Sequence, residues 1–142
     1  MTTAAASIVF FLLLTVAIAH LLWAIGSPWP IRDPQLLART VIGKPGVDRI
    51  PRLGALAVAV LVMIAATIGT SLGDTASGGL PLTLAGVVLA LVFAARGIAG
   101  YLPAWRATHP LEPFAGLDRR YYSPLCLVVA ACFAILVVTR LV

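Results

Sequence analysis

The chain has 142 residues, 61% apolar and 11% charged, with a net charge of +5. Soluble domains average about 45–50% apolar and about 25% charged. This composition therefore excludes the ordinary soluble class, and the apolar runs leave no room for a separate soluble domain. The basic balance does not point to nucleic acid, because no nucleic-acid motif accompanies charges that sit in short connections between the runs.

A helix needs about 20 residues to cross a hydrocarbon core of ~30 Å. Four runs meet that length, at residues 4–24, 53–72, 80–102 and 124–142. The expected fold is all-α: a four-transmembrane-helix bundle forming one membrane domain over residues 1–142. The first run could also be read as a signal peptide, with Ala17-Ile18-Ala19 as its cleavage site. Met1-Thr2-Thr3-Ala4 contains no basic residue, however, and a signal peptide carries one there, so the run is expected to be retained as span one.

The first connection carries Arg32, Arg39, Lys44, Arg49 and Arg52. Asp33-Pro34 has the form of an N-cap followed by proline at the first helical position, and Gly43 supplies a stop. Leu36, Leu37, Thr40 and Val41 then share a face. The segment reads as a short interfacial helix or, failing that, an ordinary polar loop.

Between spans two and three, residues 73–79 contain no Lys or Arg and read as a plain turn. Pro81 suits the first turn of span three. Gly86, Ala90 and Ala94, with Gly97 and Gly100 beyond, place a stripe of small residues along that span, as expected of a close packing face. Arg96 interrupts its apolar sequence about six residues, ~9 Å, before the predicted end. An intramembrane arginine is costly and marks a functional site unless its long stem snorkels to the interface.

The third connection carries Arg106, Arg119 and Arg120, and Pro103, Pro110 and Pro113 should prevent a long helix there. Ser123-Pro124 repeats the cap-plus-proline pattern and is expected to start span four. Cys126 and Cys132 are ~9 Å apart in helical rise, too far for a mutual disulfide. With no CxxC or Cys/His cluster, neither a zinc site nor a redox pair is expected.

The count of eight loop cations in connections one and three against Arg140 alone near the opposite ends orients the chain. The positive-inside rule places those connections in the cytoplasm and both termini outside, in the inner (plasma) membrane. His20 and Arg96 then lie at similar depth in the cytoplasmic half. Trp23, Trp29, Trp105, Tyr101, Tyr121 and Tyr122 form an aromatic collar on that side, most simply an anchoring belt. Asp118 is placed to pair with Arg96, Arg119 or Arg120, and a carboxylate would offset the burial of a guanidinium. The outer half reads as almost featureless.

The candidate ligand-binding residues are His20, Trp23, Arg96, Asp118, Tyr122 and Ser123. The leading expectation is a binding or accessory membrane protein. Arg96 would hold an anionic group such as a lipid phosphate, and Trp23 and Tyr122 would pack on an apolar body. The alternatives are an enzyme acting on a lipid or isoprenoid, with His20 as acid or base and Arg96 as electrostatic stabiliser, and a subunit of a larger complex or a homo-oligomer. No acid lies within any span, which disfavours a proton-coupled transporter. Haem would need His20 together with the loop residue His109, and no phosphate loop or nucleophile elbow is present. No metal or cofactor is expected.

His20-Leu21-Leu22-Trp23-Ala24, Trp29-Pro30, Phe93, Arg96-Gly97-Ile98, Gly100, Phe114-Ala115, Asp118 and Tyr122-Ser123-Pro124-Leu125-Cys126-Leu127 together resemble a bacterial family known only as a domain of unknown function, number three-nine-nine-five. The resemblance covers most of the chain. It implies a four-helix membrane protein and carries no established activity. Tyr101-Leu102-Pro103-Ala104-Trp105-Arg106 departs from the basic-aromatic segment that follows the arginine in that family.

Overall fold

The computed structural model describes residues 2–76 and 78–141, and among these every regular element is helical. Four helices are long and apolar enough to cross a membrane. They are α1 (Thr2–Ala24), α3 (Arg52–Gly73), α4 (Gly79–Ala99) and α7 (Ser123–Leu141). Three short helices lie in the connections: α2 (Pro34–Val41), α5 (Pro103–Thr108) and α6 (Phe114–Leu117). The chain is a multi-pass integral membrane protein. Large apolar side chains such as Phe11, Leu61, Leu91 and Val92 are more than half exposed on the outer faces of the bundle. That arrangement suits lipid and would be unstable in water.

Helix α1 packs against α3 and α7, and α4 packs mainly against α7. Val9 and Leu13 from α1, Ala66 and Leu72 from α3, and Val129, Phe133 and Leu136 from α7 form the buried centre. Phe93 of α4 stacks on Phe133, with ring centroids 6.0 Å apart. Small residues set the approach distances, as expected where apolar side chains gain nothing by leaving lipid. A Cβ on Gly69 would lie 2.6 Å from Val9, and one on Gly86 would lie 2.8 Å from both Leu72 and Val137. The glycine stripe of α4 is thus a packing face.

A short helix, α2, is present in the first connection, where one was expected. The Asp33 carboxylate accepts from the Gln35 N–H at 2.9 Å, with Pro34 following the cap. Leu37 and Ala38 are buried, whereas Leu36 faces outward, so the buried face is turned from the expected one.

Two boundaries differ from the sequence reading. Span three ends at Ala99, and the chain turns through Gly100 before Pro103 opens α5. Ser123 is not an N-cap. Its φ of −66° and ψ of −48° are helical, and one π-helical turn, Asp118–Tyr122, joins α6 to α7 without a break. The Ser123 N–H reaches the Asp118 carbonyl five residues back. Pro124 has no N–H to give the preceding turn, and the Arg119 carbonyl beside it accepts instead from the Tyr101 hydroxyl at 3.1 Å. An extra residue in the turn and an outside donor let the helix pass through a proline.

The end opposite the basic connections, expected to be almost featureless, is not so. Arg140 of α7 donates to Thr83 of α4 at 3.2 Å and to the carbonyls of Leu72 and Asp74, at 3.4 and 2.6 Å. It closes the C-terminus of α3, where helix carbonyls have no intrahelical partner and attract a cation.

Candidate functional site

Arg96 leaves the last full turn of α4 and donates through Nη2 to Asp118 Oδ1 at 2.6 Å. Asp118 is 2% exposed. Its carboxylate also accepts from Ser123 Oγ at 3.3 Å and from the Trp105 indole N–H at 3.0 Å. The π-helical turn sets Asp118 and Ser123 side by side, and Pro103 turns the chain so that Trp105 comes under the end of α4. Gly100 makes room for the arrangement: a Cβ there would fall on Ser123 Oγ and lie 2.9 Å from Asp118 Oδ2.

Trp105 contributes twice. Its indole N–H meets the carboxylate, and its ring lies 4.7 Å from the Arg96 guanidinium carbon, a cation–π contact. Arg96 is therefore held by a carboxylate and an aromatic face. Its Nη1 is buried and meets no acceptor among the described residues. Of the three partners open to Asp118 from sequence, the ion pair selects Arg96. The pair carries no net charge, so it does not attract an anion over distance.

Rings extend from this knot. Trp105 stacks on His109 with centroids 4.1 Å apart, and His109 leads to Phe114 and Phe114 to Tyr122, each step 5.8 Å. The Tyr122 hydroxyl donates to the Thr40 carbonyl at 3.2 Å. That bond ties α2 to the π-helical turn, and Phe114 of α6 packs beside Gly43, just past the end of α2.

The six residues singled out from sequence fall into separate places. Arg96, Asp118 and Ser123 are joined directly, and Tyr122 belongs to the aromatic row that fastens α2. His20 donates from Nδ1 to the Val16 carbonyl of its own helix at 2.8 Å, and its ring lies 4.7 Å from that of Trp23. Trp23 donates to the Trp29 carbonyl at 2.7 Å and lines a cleft between the end of α1 and the starts of α2 and α3. No hydrogen bond or ring contact among the described residues joins His20 or Trp23 to the Arg96 knot. Trp105 and Gly100 were not among the six. Pro103, just before Trp105 in the chain, was the signal: a proline that starts a short helix turns the chain back toward the arginine it follows.

Among the described residues, no group of three or more His, Cys, Asp or Glu side chains is placed to hold a metal ion. Cys126 and Cys132 are both free thiols. No curated protein and no solved structure matches the chain. The family described as "Protein of unknown function (DUF3995)" matches residues 13–133, and the chain belongs to it.

Proposed function

We propose that the protein is a binding or accessory component of the inner (plasma) membrane that holds an anionic, lipid-like ligand at the end where its loops are basic. The observation that carries this reading is the state of the charges there. Arg32, Arg39, Lys44, Arg49, Arg52, Arg96, Arg106, Arg119 and Arg120 share that end. Only Arg96 has a carboxylate within ion-pair distance among the described residues. The other cations leave a positive field beside the interface, which draws anionic amphiphiles and falls off within about a Debye length, ~8 Å at physiological salt.

In this reading Arg96, Asp118 and Ser123 fix the third connection in place. Tyr122 ties α2 to it, and Trp23, with His20 behind it, meets the apolar body of the ligand. The basic connections face the cytoplasm and both termini lie outside, as the positive-inside rule requires. An enzyme using His20 as acid or base gains no support from its surroundings, because its hydrogen bond among the described residues is to its own helix.

Native mass spectrometry of protein gently released from membranes of mixed composition tests the reading. Anionic lipid should be retained in preference to zwitterionic lipid. Equal retention of both classes would overturn it.

A further inference from the structure

The uncompensated charge is not spread evenly over the basic end. A cleft of about 230 Å³ opens between the last turn of α1, the start of α2 and the start of α3. Trp23, Pro28, Leu37 and Ile50 give it apolar walls, and Arg49 and Arg52 also line it. The fold brings these groups together by local means. Gly26, at φ +91°, turns the chain at the end of α1, and the Trp23 bond to Trp29 folds the connection back over the helix.

The carboxylates beside the cleft are already engaged. Asp33 accepts from the Gln35 backbone N–H, and Asp48 accepts from the Gln35 side-chain amide at 3.2 Å. Gln35 thus holds one oxygen of each acid, and neither Arg49 nor Arg52 forms an ion pair among the described residues. Two guanidinium groups without a carboxylate, in a cleft with a tryptophan wall at the membrane end of a span, match the chemistry of one ligand class. The planar forks suit phosphate oxygens, the apolar walls suit the glycerol and upper acyl region, and the depth is that of the headgroups.

We propose that this cleft is the headgroup site of a phosphate-bearing lipid, with Arg49 and Arg52 holding the phosphate and Trp23 packing on the apolar part. The proposal rests on the reading of the protein as an anionic-lipid binder and gives that reading a location distinct from Arg96. Gly26 supplies a test of geometry that leaves the charge unchanged. A Cβ there would lie 2.6 Å from the Arg52 guanidinium nitrogen and would displace it from the cleft wall.

The experiment uses the full chain in nanodiscs of phosphatidylcholine with a minor fraction of phosphatidate, followed by native mass spectrometry of retained lipid. The wild type should keep one phosphatidate. Arg49→Gln/Arg52→Gln should lower that retention about tenfold and Gly26→Ala several-fold, whereas Arg39→Gln and Arg119→Gln, which weaken the surrounding field but leave the cleft intact, should lower it much less. Thermal melts of each variant identify any that fail to fold, and Arg52→Lys, which keeps the charge but not the fork, should retain an intermediate amount. Undiminished retention in the folded double variant, or equal loss in Arg39→Gln, would overturn the cleft while leaving the broader reading standing. Absence of preferential retention in the wild type would overturn the broader reading itself. If millimolar inorganic phosphate displaces the lipid completely and binds in its place, the site is one for free anions and the lipid assignment falls.

Discussion

Arg96 and Asp118 meet at 2.6 Å although 22 positions separate them in the chain, and the contact joins the end of α4 to the entry of α7. Its energetic weight is lopsided. The carboxylate has three donors, whereas the guanidinium has one carboxylate oxygen, one aromatic face and an Nη1 without an acceptor.

Removing one partner should therefore hurt more than removing both. Asp118→Leu should lower stability by about 3 kcal/mol, the low end for breaking a buried pair, because the Arg96 side chain is 30% exposed. Arg96→Leu/Asp118→Leu should recover most of that loss. Denaturation in detergent, followed by circular dichroism, measures both. Additive losses in the double variant would contradict the expectation.

Gly100→Ala should destabilise by about 1–3 kcal/mol, since the methyl group would overpack the Ser123 hydroxyl and the Asp118 carboxylate. Ser123→Gly in the same chain should restore part of it. Gly54→Ala is the control, because the nearest atom to its new Cβ is 3.7 Å away, in ordinary contact. It should be neutral or stabilising, and thermal melts of the three variants decide the matter.

At the opposite end, Arg140→Met keeps an apolar stem and removes the donors that hold Thr83 and the α3 carbonyls. A loss of about 1.5–3 kcal/mol is expected, as for hydrogen bonds from a charged group. Hydrogen exchange should localise the loosening to the last turn of α3. A change confined to α7 would argue against the clamp.

The orientation can be read with reporter fusions. Alkaline phosphatase joined near Gly78 should be active and one joined near Lys44 inactive. The reverse pattern would invert the assignment of the basic loops to the cytoplasm.

Much of the architecture follows from run length and loop charge, because a span has to satisfy its backbone internally and the membrane fixes its length. The cap at Asp33 was equally plain, since capping is a local matter. The departures arise where local signals have non-local answers. Ser123-Pro124 looks like a helix start, yet Tyr101, more than twenty residues earlier in the chain, supplies the donor that lets the helix run through. Trp105 belongs by composition to an anchoring belt, and only the reversal at Pro103 gives it a carboxylate and a guanidinium. Arg140 counts as a single charge in a topology sum, while its acceptors Thr83, Leu72 and Asp74 lie on two other helices and the turn between them. His20 and Arg96 were expected at one depth from their positions in the runs, but depth carries no information about azimuth around the bundle.

The π-helical turn between Asp118 and Tyr122 takes one more residue than an α-helix needs to bring Asp118 and Ser123 together. In an uninterrupted α-helix, residues five apart point about 140° away from each other, whereas residues four apart point within about 40°. Deleting one residue from Arg119-Arg120-Tyr121 would therefore restore regular winding and still leave the carboxylate and the hydroxyl on one face. The extra position shows itself in the backbone, where it leaves the Arg119 carbonyl to the Tyr101 hydroxyl. The knot should survive the loss of one residue in this stretch, and the tie to Tyr101 is what would go.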